Sequence, residues 1–315
     1  MKTILKHTAL LLFLALGFTS TAQESIKPED FDLPENTEMA LEITGVYDGV
    51  KHTFTQTNAK EYQFNSNGLL AQVREMITDG FGSQDTYHYD GHGELVKVDY
   101  LLGTSAGPVT GSSTHSIEKE DYKTTYTRKN ANGDVERTIA FFNEAGELRG
   151  KSFYNAKKAL VKQIEYDGAK TYRIREFKLN KVVSDIVYEN NEEGKLAKKL
   201  KYTEPGKTPS KEQLTTISYN EKGDADKMFV HYDNEPGTTP RVMNTHTMEY
   251  VYDDDIWVAR IEYRHGYYKP SPTLDITLRR IKTADKMYTP KDEKSLLDFC
   301  KQVYQHYLDT ENKQD

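Results

Sequence analysis

Phe64-Asn65-Ser66-Asn67-Gly68-Leu69-Leu70 holds the architecture of this chain in miniature. An aromatic residue leads into polar turn formers and a glycine, and an apolar residue stands two places beyond. The phrase returns as Tyr89-Asp90-Gly91-His92-Gly93-Glu94-Leu95, as Phe142-Asn143-Glu144-Ala145-Gly146-Glu147-Leu148 and as Tyr219-Asn220-Glu221-Lys222-Gly223-Asp224-Ala225. Self-similarity at short period is the mark of a repeat architecture. Here the unit reads as a β-hairpin, because glycine tolerates the positive φ of a tight turn and asparagine supplies turn hydrogen bonds.

After each turn the residues alternate. Gly133 is followed by Val135, Arg137, Ile139 and Phe141, and Gly194 by Leu196, Lys198, Leu200 and Tyr202. Lys158 in the glycine slot leads to Leu160, Lys162, Ile164 and Tyr166, and Asp255 to Trp257, Ala259, Ile261 and Tyr263. Side chains two apart share a face of a strand, so each set is expected to line one face of an antiparallel sheet. The intervening residues, such as Glu136, Thr138, Lys199 and Lys201, then face the other way. The aromatic before each turn is expected opposite the apolar residue after it, a pair worth about 0.2–1 kcal/mol. Phe141 and Phe142 are adjacent yet belong to consecutive units, so they point to opposite faces unless a bulge intervenes.

Working outward, Leu41 to about Leu278 is strand-like throughout. Leu102–Ser116, Thr203–Lys211 and Asn234–Pro240 read as longer loops. Residues 23–40 read as a polar leader, 41–285 as the β-repeat domain and 286–315 as a C-terminal helix and tail. Thr289-Pro290 gives a helix cap and first position, and Leu296, Phe299, Cys300, Val303 and Tyr307 recur at helical spacing over 290 to about 309. At the other end, Lys2 and Lys6 precede the apolar run Ala9–Leu16, and Ser20-Thr21-Ala22 supplies the small residues a signal peptidase reads, so residues 1–22 read as a secretory signal. No later segment is apolar enough to span a membrane as a helix.

The whole chain carries 42 Lys and Arg against 49 Asp and Glu, net −7, which argues against nucleic acid as a partner. Cys300 is the only cysteine, so no internal disulfide holds an exported chain of this size.

The Tyr-Asp/Asn-x-x-Gly-x-Leu phrase at Tyr89–Leu95, with its variants at Phe142 and Tyr219, resembles the YD or RHS repeat family. The resemblance covers about residues 60–265 and implies hairpin units in a curved sheet. The chain is much too short for the toxin-enclosing shells of the largest members. Its signal ending in Thr-Ala-Gln and its abundance of Tyr, Asn and Lys are also similar to exported proteins of the Bacteroidetes.

The expected fold is therefore mostly β. It is a long twisted antiparallel sheet of hairpins and meanders, single or an open half-barrel, with one C-terminal helix. Lys97, Arg137, Lys162, Lys198 and Lys227, all four places after a turn, form a potential basic ladder flanked by Tyr166, Tyr202 and Tyr263. Such a face suits an anionic glycan; the plain alternative is that long basic stems lie over apolar neighbours and carry their charge to water. His88, Asp90 and His92, and the acidic turn Asp253-Asp254-Asp255, are thin as metal sites and ordinary as turn residues. No nucleophile motif and no phosphate loop is present, so no catalytic residue, metal or cofactor is expected. The sequence reading is of a non-enzymatic periplasmic or extracellular module that binds or scaffolds envelope protein or glycan. Its rivals are a lipid or lipoprotein carrier with a curved sheet and a glycan-active hydrolase.

Overall fold

The computed structural model describes residues 25–311 apart from 78–81, 105–106, 169, 203–204, 206–211, 232–240, 267–272 and 291. The expected signal lies outside the described residues. So do 234–240 and all of 203–211 except Pro205, which the sequence reads as loops.

The strands follow one another as a meander. They are β1 (Thr37–Asp48), β2 (Thr53–Phe64), β3 (Leu70–Ile77), β4 (Gly82–Tyr89), β5 (Leu95–Thr104) and β6 (Gly107–Glu120). Then come β7 (Lys123–Asn130), β8 (Val135–Phe142), β9 (Leu148–Tyr154), β10 (Leu160–Asp167), β11 (Thr171–Lys178) and β12 (Lys181–Asn190). The last are β13 (Leu196–Tyr202), β14 (Glu212–Tyr219), β15 (Ala225–His231), β16 (Val242–Asp253), β17 (Ile256–Gly266), β18 (Thr273–Thr283) and the short β19 (Met287–Tyr288), before helix α1 (Glu293–Glu311). Leu102–Ser116, expected as a loop, is mostly two paired strands, with Tyr100 opposite Gly111 and Leu102 opposite Val109.

Each recurring turn is built alike. In the first, the Asn65 amide donates to the Leu69 carbonyl, the Gly68 amide to the Asn65 carbonyl, and Asn65 Oδ1 accepts from the amides of Asn67 and Leu69. Gly68 takes φ 71°, and Lys158 is forced to φ 59° in the equivalent slot. The aromatic and apolar residues flanking the turns pair as the sequence predicts: Phe64 with Leu70, Tyr89 with Leu95, Phe142 with Leu148.

The expectation of an open sheet is overturned by the ends of the chain. β1 pairs with β2 on one side and with β18 on the other, the last contact running from Thr37–Thr283 to Asp48–Thr273. With β17 joined to β18, the wall of β1–β18 closes into an eighteen-stranded antiparallel barrel, and β19 adds two residues beside Ile281 and Lys282. Closure leaves no long edge and no extended sheet surface. It therefore also corrects the YD/RHS-like reading and the binding or scaffolding role drawn from an open sheet.

The turns at 65–69, 90–94, 121–122, 143–147, 191–195, 220–224 and 254–255 gather at one rim, with both ends of the wall. The ends of β13, β15 and β17 and the starts of β14, β16 and β18 lie at the opposite rim.

One arc of the wall is reinforced on both sides. On one side α1 buries Cys300, Val303 and Tyr307 against Tyr47 of β1, Ile261 and Tyr263 of β17, and Leu274 and Ile276 of β18. Gly49 is required there, because a Cβ would overlap the Tyr304 ring. The helix begins at Glu293, later than its sequence signal. Asp292, not Thr289, caps it by accepting from the Ser295 amide at 2.8 Å and hydroxyl at 2.7 Å. On the other side the leader packs Phe31 and Leu33 over Ala40, Tyr62, Phe64, Leu70 and Ile281.

Candidate functional site

Two observations identify the leader side as the lumen. The Ile26 carbonyl accepts from the Leu70 amide on β3, while Asp32 accepts from Trp257 Nε1 on β17. Along the wall those strands are four steps apart, about 19 Å. Six residues that include the 3-10 turn Pro28–Phe31 reach only about 15 Å, and with the Asp32 and Trp257 side chains completing the span they fit the shorter path on the concave side. Desolvation agrees. Away from the helix, the groups most perturbed by burial, among them Tyr62, Tyr87, His115, Tyr188 and Tyr250, share the leader's face.

This division splits the expected basic ladder. Lys97, Arg137, Lys198 and Lys227 stand on the outer face, whereas Lys162 and Tyr166 point into the lumen. Tyr202 is on the outer wall beneath the Arg173 guanidinium, 5.4 Å from its ring centre, and Tyr263 is buried under α1. Lys97 is held by Asp99 at 2.8 Å, and the same carboxylate takes His88 at 2.8 Å. Lys198 pairs with Glu189 at 2.9 Å. The acidic turn is spoken for by lysines: Asp253 and Asp254 hold Lys286, and Asp255 holds Lys222. Asp90 accepts the amides of His92 and Glu94, which lowers its pKa. No cluster of three metal-ligating side chains occurs among the described residues.

The lumen wall is polar and aromatic together. Tyr166, Tyr172, Tyr188 and Lys199 stand opposite one another in a row across β10, β11, β12 and β13. The next row toward the opposite rim is Ile164, Ile174, Ile186 and Lys201. The Tyr172 and Tyr188 rings stack at 4.8 Å and 8°, and Tyr166 tilts against Tyr172 at 6.0 Å. Burial pushes the Tyr172 hydroxyl up to about 12. Burial, with repulsion from Lys201, brings Lys199 down to about 8. Lys162 is also lowered by burial, with Glu176 opposing, and its ammonium lies 5.3 Å from the Phe153 ring centre. The sequence alternation sets Lys199 and Lys201 on the face opposite Lys198 and Leu200, as they are, and only closure of the wall shows that this face lines the lumen.

The outer wall is charged at mid-height. Arg173 binds Asp185 through both nitrogens at 2.7 and 2.6 Å, and Arg175 reaches Glu165 at 3.1 Å. β9, β13 and β15 are only seven residues long. At the tilt of a closed barrel that gives a wall of about 18 Å, below the apolar band of about 25 Å seen on membrane barrels. Among the described residues no helix is long and apolar enough to cross a membrane, which leaves strands unaddressed.

No family model and no curated protein matches this chain. A crystal structure of a porin-like protein from Bacteroides uniformis overlaps 78% of this chain and 98% of its own at 10% identity, with a TM-score of 0.39. So loose an overlap carries no argument, and function is read from the barrel itself.

Proposed function

We propose that the protein is a lumen-type β-barrel of the cell envelope: a water-filled, polar-walled vessel that admits small polar and anionic solutes. The observation that carries this is closure of the wall around an inner face set with tyrosines and titratable groups, while the outer face is equally fit for water. The lipid carrier weighed from the sequence needed a concave face without the ladder's basic residues, and Lys162 stands there. Neither the carrier nor a hydrolase accounts for the barrel better. The solute would enter past the rim with the longer connections, since the leader crosses the lumen near the tight-turn rim.

A second reading has one observation in its favour. Even strand number, both wall ends at one rim and longer connections at the other are the layout of bacterial outer-membrane channels. Against it, lipid on the outer wall would meet Arg173 and Arg175, at about 2–4 kcal/mol each at mid-membrane.

Two measurements separate these. Cysteine placed at inward-facing Thr138 in a Cys300→Ala background is expected to react with a small charged maleimide; failure to react would mean a closed interior. The purified barrel is expected to stay in the aqueous phase and give no steps in a planar bilayer. Stepwise conductance would replace the aqueous vessel with a membrane channel.

A further inference from the structure

We infer that the rim away from the ends of the wall docks on an anionic lipid surface, with Leu179 entering the headgroup layer and Lys157, Lys158, Lys178 and Lys181 set against its phosphates. This goes beyond the lumen reading and fixes which mouth of the barrel faces a membrane.

The β11–β12 hairpin turns on two residues, Leu179 and Asn180, between the paired Lys178 and Lys181. Both central residues take positive φ, 50° and 61°, in a turn that favours Asn and Gly. A leucine there is strained, and its side chain is 90% exposed, so neither backbone nor burial within this chain accounts for it. Lys158, at φ 59° in the β9–β10 turn, repeats the pattern two strand spacings away, about 10 Å. Of the other non-glycine residues with positive φ, Asp32, His52 and Asp254 hold Trp257, Tyr47 and Lys286, and Tyr122 lies at the other rim. Leu179 and Lys158 project into solvent.

The same rim carries aliphatic side chains around its circumference. Val50 stands 72% exposed in the β1–β2 turn, Leu102 and Val109 face each other half-exposed at the tip of β5–β6, and exposed Val242 opens β16. Exposed aliphatics scattered singly are ordinary, whereas a set of them ringing one mouth marks a contact surface. Spread around a mouth and not gathered in a groove, they suit a broad deformable layer better than a protein surface.

Charge divides between the two rims in the same sense. At the rim of the wall ends the turns are acidic, with Asp90, Glu144, Glu147, Glu192, Glu193 and Glu221 among them. Lysines there are engaged, Lys222 by Asp255 and Lys195 by Glu193. At the opposite rim the turns 155–159 and 179–180 hold no acid, and Lys157, Lys158, Lys178 and Lys181 make no ion pair among the described residues. A chain of net charge −7 is repelled by an anionic membrane in most orientations, and this separation leaves one mouth attracted to it. Lysine stems can lie along apolar neighbours and reach phosphate while Leu179 sits between them in the interface.

The test mixes the purified barrel with vesicles of phosphatidylcholine, alone or with added phosphatidylglycerol, and measures co-sedimentation. Binding to the anionic vesicles only is expected, and it should fade in high salt. Lys178→Gln with Lys181→Gln should weaken it about thirtyfold. Leu179→Gly should weaken it about tenfold while raising the thermal midpoint, because glycine suits the turn. Affinity and stability then move in opposite directions, which damage to the fold would not produce. In a Cys300→Ala background, an environment-sensitive dye on Leu179→Cys should shift to the blue on anionic vesicles, and one on Glu144→Cys should not. Equal binding to neutral vesicles, no binding to anionic ones, or matching shifts at both positions overturns the proposal. So does binding that resists carbonate extraction, the mark of an inserted wall. Failure to bind anionic vesicles while the Thr138 cysteine still reacts rejects the docking face and leaves the lumen reading standing.

Discussion

The Arg279 guanidinium lies 3.5 Å from the centre of the Trp257 ring, and the same indole donates its N–H to Asp32 at 2.8 Å. Arg279 also donates to the Asp32 and Phe31 carbonyls and to Glu42, so one buried cation fastens leader, β1, β17 and β18 together. Arg279→Ala is expected to leave Glu42 without this partner and cost about 3 kcal/mol. Urea midpoints measure the loss, and protease cleavage near Asp32 should appear at the same time. A midpoint unchanged from wild type would show that the cation is not the fastener.

Lys158 occupies a slot where the equivalent turns use glycine, at φ 59°. Lys158→Gly should stabilise the barrel by up to about 1 kcal/mol, and Gly146→Ala should cost about as much. Thermal midpoints of the two variants moving in opposite directions would establish the shared turn geometry.

Cys300 is fully enclosed between α1 and the wall, and burial drives its thiol up to about 12. The native state therefore favours the neutral thiol. Its contribution is whole below about pH 9 and disappears as pH climbs toward 12. Stability should fall between about pH 9 and 11, less steeply in Cys300→Ala, and the thiol should resist Ellman's reagent until the protein unfolds. Tyr307→Ala, which opens the same core at a cost of about 3–5 kcal/mol, should expose it.

Lys199 works the other way. Its folded pKa of about 8 lies below the unfolded value, so the unfolded chain binds more protons between about 8 and 10.5 and stability from this group rises with pH there. Lys199→Met should raise the urea midpoint near pH 7 and lose that advantage near pH 11. An equal gain at both would assign the effect to packing.

Much of this was written locally. The Tyr89–Leu95 and Phe142–Leu148 pairs follow from turn chemistry and the side-chain period, both carried within a few residues. What local reading lost was the extra residue after the turn. Tyr89 pairs with Leu95 but His88 pairs with Lys97, so Val96 is a bulge and Lys97 leaves the face of Leu95. The same happens between Leu160 and Lys162, which start from the other rim and so carry Lys162 inward. β7 and β8 have no such break, and Val135, Arg137, Ile139 and Phe141 do share one face. In the β8–β9 pairing the extra residue is Arg149 on β9, so the adjacent Phe141 and Phe142 keep opposite faces. Closure left no local trace, because it depends on Tyr47 meeting Leu274 across almost the whole chain.

That meeting also orders events in time. While the polypeptide emerges, β1 is finished first and its eventual neighbour β18 is nearly the last strand to appear. Until then the growing meander carries two raw flanks able to zip onto another molecule, so the hazard of mispairing grows with every hairpin added and ends in one stroke. Truncations lacking Thr273 onward should accumulate as aggregates or swapped dimers rather than as smaller rings.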